Sequence, residues 1–449
     1  MNDKLTIDLN AKSLLSKTIF SIGLLIFTSL YTIVDSLFVS NYINTTALAA
    51  INISLPIYSV LGAFYFMISS GGNAWVSIRL GMGDKDRANR DFSLIIYFGV
   101  LLSVLLELII LPNIDFIVKS LGAQSGDLFT YTKDYLFIIT LFTPLFLLQI
   151  IFQGFLFVEG NGKLALILTV ICGLANVLFD YLFIAILDLG IVGSAYGTTI
   201  GFLIGAVGGL YFFIKNKKGL HLGKFSKNMR VIVGTLTNGS SEMVTNVSSA
   251  ITTFMFNALT LKYAGADGVA AITIILYCQF LFCSIFFGFS MGTTPLIGYA
   301  WGAKKYKYTR DLLRLCYKLV IIFQLIMFAI SITQASLIAS MFTSSDNPVF
   351  ELSTHGLRLF SFSFLFCGIS IFSSSVFTAL GDGKRSAFLS FVRVFVFTIF
   401  FLYTLPLIWG LDGIWLAIPI AEAFMIIIDI IFLVKLSHRL TDFSHKKEL

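Results

Sequence analysis

The sequence predicts an all-α membrane protein of about twelve transmembrane helices, and composition and periodicity together carry the prediction. Of its 449 residues, 57% are hydrophobic and only 12% are charged, and its mean hydropathy is +0.90. Soluble domains are roughly one quarter charged, so this excess of apolar surface must face lipid. The apolar runs approach or exceed the ~20 residues that a spanning helix needs, whereas a transmembrane barrel would show short alternating segments.

The apolar runs divide the chain into twelve spans separated by short loops. Several spans are longer than the ~20 residues needed, so we expect tilts, kinks or extensions into water. The expected spans lie at about 14–40, 46–78, 91–112, 132–158, 164–186, 190–214, 231–263, 267–300, 312–342, 353–380, 385–408 and 412–435.

Lysine and arginine collect in alternate loops, which predicts the orientation. The loops after the second, sixth, eighth and tenth spans are basic, and the odd-numbered loops carry few bases. Cytoplasmic loops of membrane proteins collect Lys and Arg, so both termini are predicted to be cytoplasmic. The same bias accounts for the net charge of +7 without nucleic acid as a partner. No cleavable signal peptide is evident, because the first apolar stretch is long enough for a full helix.

The chain repeats itself at a spacing of 221 residues. The segment 47–51 (ALAAI) matches 268–272 (GVAAI), and 160–163 (GNGK) matches 381–384 (GDGK) in the same register. We therefore predict two six-helix lobes, 1–214 and 231–449, joined by a basic cytoplasmic linker at 215–230. Six spans per lobe give both lobes the same orientation around a V-shaped central cleft, which is a transporter architecture.

Several kinds of chemistry find no support in the sequence. The five cysteines lie within or beside apolar stretches, and no spacing resembles a metal site. The Gly-Lys pairs at 162–163 and 383–384 lack the first glycine of a phosphate loop, so they are interpreted as helix stops and starts. No nucleophile–base spacing appears, so neither an enzyme nor a resident cofactor is expected. The driving force is expected to be a gradient of H⁺ or Na⁺.

Ionisable groups within the spans are costly in lipid and are therefore candidate functional residues. Asp35 and Asp180 lie at similar depths, about 27 Å and 26 Å from the cytoplasmic ends of their spans. Asn176 precedes Asp180 by one helical turn and shares its face. The three residues can meet in the outer half of the first lobe. Desolvation there disfavours the charged carboxylate, so it could exchange protons, and two carboxylates with an amide oxygen would also suit Na⁺.

A second set of candidates could bind substrate or take part in coupling. Arg393 and Glu422 both fall near mid-membrane, where an ion pair could serve function or lock two helices. Glu242 follows two serines and could equally be a helix-start acid. Asp429 is expected to be structural. Gln153 and Thr198 are further polar candidates within spans. Phenylalanines and methionines could line a cleft for apolar cations: Phe64, Met67, Phe254, Met255, Phe287 and Met291.

Five further segments contain recognisable motifs: 31–39 (YTIVDSLFV), 80–88 (LGMGDKDRA), 239–242 (GSSE), 297–304 (IGYAWGAK) and 410–422 (GLDGIWLAIPIAE). Together they resemble the multidrug and toxic compound extrusion (MATE) transporters over nearly the whole chain. The first span is similar to that family's Val-Asp-x-x-Phe-Val signature, and the GSSE stretch resembles the branch with MepA-like and DNA-damage-inducible efflux proteins. One departure is Phe20, where relatives usually carry a proline.

The resemblance implies an antiporter that exports amphipathic organic cations against inward H⁺ or Na⁺ by alternating access. Asp35, Asn176 and Asp180 would then form the cation-coupling cluster of the N-terminal lobe. It also implies a monomer in the bacterial cytoplasmic membrane. The alternative is a flippase for lipid-linked precursors with the same architecture. A flippase predicts a strongly cationic cleft, and the intramembrane bases here are few, chiefly Arg393.

Overall fold

The computed structural model describes residues 5–43 and 45–448, apart from the side chains of 33–42, 45, 48 and 445–448. These residues are almost entirely helical and contain no strand. The first half of the chain forms α1 (Ala11–Tyr42), α2 (Thr45–Gly81), α3 (Lys85–Ile110), α4 (Ile114–Ser120), α5 (Gly126–Leu141), α6 (Thr143–Val158), α7 (Gly162–Asp180) and α8 (Gly190–Lys215).

The second half begins with a very long helix and contains more short helical segments. π-helical turns occur in both halves, at 181–186 and at 392–398. The helices are α9 (Met229–Gly302), α10 (Tyr306–Thr333), α11 (Ala335–Ser340), α12 (Pro348–Phe360), α13 (Cys367–Ala379), α14 (Gly383–Phe391), α15 (Ile399–Thr404), α16 (Pro406–Trp409) and α17 (Leu411–Glu448).

The helices of the described residues are consistent with twelve spans. Ten helical segments are long and apolar enough to cross a membrane. Helices α5 and α6, which meet at an angle of 53°, together make one further span. The 74 residues of α9 would extend far beyond the ~30 Å of a bilayer core at 1.5 Å per residue. Its helical geometry breaks at Gly265, where φ is +64°, so α9 supplies two spans.

The repeated Gly-x-Gly-Lys segments are turns between helices, as predicted. Gly160 and Gly381 adopt φ values of +73° and +78°, a region that glycine enters without a steric cost. The following helices, α7 and α14, start at Gly162 and Gly383. In the second copy the Asp382 side chain accepts a hydrogen bond from the Arg385 backbone N–H at 3.4 Å and caps α14. The cysteines are also as predicted, since all five are buried and free.

The two halves pack together along α1, α2 and α9, and glycines bring the backbones into direct contact. A Cβ atom added to these glycines would overlap a backbone carbonyl oxygen of the facing helix. In α2 and α9 they are Gly71 against Thr235, Gly239 against Met67, Gly81 against Tyr299 and Gly302 against Ile78. Gly288 of α9 approaches Ser21 of α1 in a similar way. These contacts lie toward the end of the spans that the basic loops occupy.

The linker 215–230 is bound to the first half of the chain. The backbone N–H of Leu220 donates to Glu159 Oε2 at 2.9 Å, and that of His221 donates to Asn89 Oδ1 at 3.1 Å. The Gly223 N–H donates to Ser93 Oγ at 3.1 Å. Leu220 itself is buried in the core. The linker therefore follows the first half up to the start of α9.

Candidate functional site

The polar residues of α7 share one buried face. Thr169, Asn176 and Asp180 lie seven and four residues apart, a spacing that places them in line along a helix. Their exposed fractions are 2%, 4% and 1%. The face that the sequence predicted for Asn176 and Asp180 is thus present, and it points into the protein rather than into lipid.

Helix α8 offers this face a row of glycines with four-residue spacing. A Cβ at Gly197 would overlap the Oδ1 atom of Asp180, and one at Gly201 would lie 3.9 Å from the Asn176 Cβ. The absence of side chains lets the carboxylate of Asp180 lie against the α8 backbone. We call the space that Gly197 leaves for the Asp180 carboxylate the seat of Asp180. The sequence analysis missed it, although the sequence shows a row of five glycines: Gly193, Gly197, Gly201, Gly205 and Gly209.

Only the NH₂ group of the Asn176 amide forms a hydrogen bond with a described residue. Its Nδ2 donates to Thr198 Oγ1 on α8 at 3.4 Å. Its Oδ1 is buried and accepts no hydrogen bond from any described residue. A buried carbonyl oxygen without a donor is costly, and amide oxygens are ligands for hard cations such as Na⁺. The amide oxygen one turn from Asp180 is therefore suited to an ion or a protonated group.

The chain changes helix type directly after Asp180. Residues 181–186 form a π-helical turn, with the Leu187 N–H donating to Leu182 O at 3.0 Å. Such turns inside helices occur often at functional sites, because they widen the helix and re-aim side chains. Asp180 thus occupies the last regular position of α7, where the helix can change its pitch.

Asp35 belongs to α1, but its side chain lies outside the described residues. Contacts between glycines and side chains of α1 and α7 nevertheless give the register of these two helices, which run in the same direction. A Cβ at Gly23 would contact Leu166, and a Cβ at Gly173 would contact Phe27. These contacts pair positions 143 to 146 apart, and Asp35 and Asp180 are 145 apart. The backbone of Asp35 is therefore level with Asp180.

The other candidates of the first half lie on the same surface as this face. Gln153 of α6 donates from Nε2 to Thr169 Oγ1 at 2.8 Å. Thr198, half-buried on α8, receives the hydrogen bond from Asn176 described above. Gln153 and Thr198 therefore connect α6 and α8 to the polar face of α7 and support its side chains.

The second half of the chain contains a separate buried ionic cluster. Arg393 donates from Nε to Glu422 Oε1 at 2.7 Å, so the predicted ion pair is present. Asp429 lies two turns along α17 from Glu422, is fully buried and accepts a hydrogen bond from Ser370 at 2.8 Å. Glu422 Oε2 and Asp429 Oδ1 have no partner among the described residues. The guanidinium of Arg393 is thus paired with Glu422, and Asp429 is held separately by Ser370.

Glu242 lies where the two halves come closest. It is half-buried and follows Gly239 of α9 by about one turn, and Gly239 touches the backbone of Met67. It is well inside α9, thirteen residues from Met229, so it is not a helix-start acid. Of the predicted aromatic and methionine residues, Met67 is buried and Phe254 is 73% exposed. The others are half-buried.

This arrangement, with two helical halves and buried carboxylates inside each, is that of a polytopic membrane transporter. A model of the MatE family matches residues 21–182 and 241–404, more than half of the chain. The chain therefore belongs to the MatE family. Members of this family are transporters, so the chain is a transporter and not an enzyme.

Individual relatives agree with this assignment over nearly full length. The chain is 27% identical over 417 residues to the multidrug export protein MepA of Staphylococcus haemolyticus, covering 92% of this chain and 90% of that protein. A crystal structure of a MATE transporter in complex with MaL6 superposes with a TM-score of 0.91 at 22% identity, covering 99% of both chains. The structure of a MOP superfamily transporter from Pyrococcus furiosus superposes with a TM-score of 0.89 at 21% identity, covering 99% of this chain and 98% of that chain. That transporter is described as having a binding pocket of reverse polarity. These two likenesses establish the two-lobed fold.

Proposed function

We propose that the chain is a multidrug exporter that couples the outward movement of amphipathic organic cations to the inward movement of H⁺ or Na⁺. The similarity to multidrug export proteins supports the export of drug-like compounds. The observation that carries the coupling is the seat of Asp180 against Gly197, with the acceptor oxygen of Asn176 one turn away. Burial disfavours the charged form of this carboxylate, and binding a proton or a cation would reduce that cost.

Asp35 completes the proposed coupling site from α1. Its backbone is level with Asp180, and α1 is also the helix of the first half that touches Gly288 of α9. An ion bound between Asp35 and Asp180 would change the packing of α1 on α7. The same helix would then transmit the change to the contact between the two halves. A gradient can drive transport only if the ion binds more tightly in one state than in the other.

The glycine contacts between the halves fit a state that is closed toward the cytoplasm. They lie at the end of the spans that carries the basic loops, and cytoplasmic loops are the basic ones. In this state the coupling ion and the released substrate would exchange with the outside. Separation of α2 from α9 at Gly71 and Gly239 would open the opposite side.

The charges on the helices between the two halves favour cationic substrates. The stretches 18–78, 231–261 and 263–303 of α1, α2 and α9 contain no Lys or Arg. The same stretches contain Asp35 and Glu242, both well inside spans. An anionic headgroup would meet repulsion here, whereas an organic cation would find carboxylates and aromatic faces. This distribution argues against the flippase alternative and points to Glu242 as a substrate contact.

Transport in proteoliposomes would test the proposal. The purified chain should drive uptake of ethidium into vesicles when either a pH gradient or a Na⁺ gradient is imposed, and the effective gradient identifies the ion. Asp35→Asn should abolish the response to that gradient. The exposed Asp188 has a φ of +51°, which Asn tolerates, so Asp188→Asn is a matched control that should transport normally. Gradient-driven uptake that is equal in Asp35→Asn and in the wild-type chain would contradict the proposed site.

A further inference from the structure

A cavity of about 430 Å³ opens at the basic-loop end of the second half. It lies at the ends of several spans, between the turn 381–383, the end of α9 and the last part of α17. Lys384, Arg385 and Arg439 line it together with Asp382. Trp301, Phe377 and Leu436 supply an apolar wall. The cavity therefore combines positive charge with apolar surface at the depth of a membrane interface.

The charges of the cavity do not cancel. Arg385 forms an ion pair with Asp382 at 2.8 Å, which accounts for the single carboxylate. Arg439 stacks over the Trp301 ring at 5.8 Å and over Phe443 at 5.4 Å, and it forms no ion pair with a described carboxylate. Lys384 is exposed on the same rim. Two positive charges thus remain for a ligand.

The internal repeat gives this cavity a counterpart in the first half, and there it is filled. Leu380 of the cavity corresponds to Glu159 at the repeat spacing of 221 residues. In the first half the chain leaves α8 and folds back, so that buried Leu220 and its N–H lie on Glu159. In the second half α17 continues as a helix to Glu448. No described segment after α17 folds back toward the turn 381–383, which packs against Thr237 and Asn238 of α9, and the cavity lies open beside it.

We propose that this cavity binds the headgroup of an anionic phospholipid from the cytoplasmic leaflet. Lys384 and Arg439 would contact the phosphodiester, and the wall of Phe377 and Leu436 would contact the glycerol and the first acyl carbons. Basic pockets between transmembrane helices on the cytoplasmic side are suited to anionic headgroups. The headgroup would take the place that the linker occupies in the first half. This inference does not depend on which ion drives transport.

Native mass spectrometry with titrated lipids tests the inference on the full chain. Dioleoylphosphatidylglycerol should bind as one preferred copy, more tightly than dioleoylphosphatidylcholine. The double variant Lys384→Gln/Arg439→Gln should bind phosphatidylglycerol about tenfold more weakly, because each base near a membrane surface adds appreciably to the attraction of anionic lipid. The repeat-related double variant Lys163→Gln/Lys218→Gln is the matched control and should bind like the wild-type chain.

Two further arms distinguish the source of the phosphate and the folding of the variants. Inorganic phosphate at the same concentrations should neither compete with phosphatidylglycerol nor raise the unfolding temperature. In phosphatidylcholine alone, both double variants should unfold at the temperature of the wild-type chain. Equal phosphatidylglycerol binding by the two double variants, or full competition by inorganic phosphate, would overturn the lipid assignment.

Discussion

The Oδ1 atom of Asp180 lies so close to the α carbon of Gly197 that a side chain at position 197 would overlap it. The contact joins the last residue of regular α7 to the glycine row of α8. The contact explains how the Asp180 side chain, with an exposed fraction of 1%, finds space inside a helical lobe. The carboxylate sits in a gap in the packing that only glycine leaves.

Gly197→Ala should therefore impair coupling while leaving the protein folded. The added methyl group must displace the Asp180 carboxylate, and displacements of about 1 Å at a reacting group can cost up to ~100-fold in rate. We expect gradient-driven ethidium transport to fall by about tenfold or more on this ground. Gly201→Ala is the matched control, because the nearest atom to its new Cβ is at 3.4 Å, an ordinary contact. Equal transport by the two variants would show that the position of Asp180 against Gly197 is not needed for coupling.

The ion pair of Arg393 and Glu422 matters for stability mainly because the loss of one partner would leave the other charge buried and unpaired. Removing one partner leaves the other charge buried alone, at a cost of about 3–5 kcal/mol, whereas replacing both with apolar residues is often neutral. We predict that Arg393→Met lowers the unfolding temperature strongly and that Arg393→Met/Glu422→Leu recovers most of it. A double variant that is less stable than either single variant would contradict this account. If the recovered double variant still transports, the pair only locks two helices together. If it is stable but does not transport, the pair has a role in coupling.

Glu242→Gln should weaken the binding of cations selectively. Glu242 follows Gly239, which contacts the other half of the chain, by about one turn, and the substitution removes the charge that an organic cation would meet. A charge-assisted contact is worth about 1.5–3 kcal/mol, so the Kd for ethidium should rise by roughly tenfold or more. The binding of an uncharged drug of similar size should not change. A Kd for ethidium that stays at the wild-type value would exclude Glu242 as a substrate contact.

The attachment of the linker to the first half can be tested without transport. Glu159→Ala removes the acceptor for the Leu220 N–H, a charge-assisted hydrogen bond worth about 1.5–3 kcal/mol. Trypsin should then cleave after Lys217 and Lys218 faster than in the wild-type chain. Glu351→Ala, at an exposed position, is the control and should not alter the cleavage rate. Unchanged cleavage in Glu159→Ala would show that other contacts hold the linker.

The sequence predicted the elements of the fold well, because spans depend on local composition. It also predicted the shared face of Asn176 and Asp180, since helical spacing alone determines it. The pairing of that face with Gly197 was missed because spacing does not tell which helix lies opposite. The division of α9 into two spans at Gly265 agrees with the predicted spans 231–263 and 267–300, which leave 264–266 between them.

The docking of the linker was also beyond the sequence analysis. Basic composition marked 215–230 as a cytoplasmic connection, and this says nothing about the acceptors on Glu159 and Asn89 that bind its backbone. The pairing of Arg393 with Glu422 could be predicted because both depths follow from span boundaries. The hydrogen bond from Ser370 to Asp429 could not be predicted, since spacing along the chain does not tell which residue of α13 lies opposite Asp429.

The most direct test of the coupling site is gradient-driven efflux by Asp180→Asn beside Asp188→Asn. Asparagine keeps the shape of the side chain at position 180 but removes the charge that binds H⁺ or Na⁺. We predict that Asp180→Asn binds ethidium normally and shows no transport in response to the effective gradient, while Asp188→Asn matches the wild-type chain. Full gradient-driven transport by Asp180→Asn would contradict the account, because the buried carboxylate would then have no part in coupling.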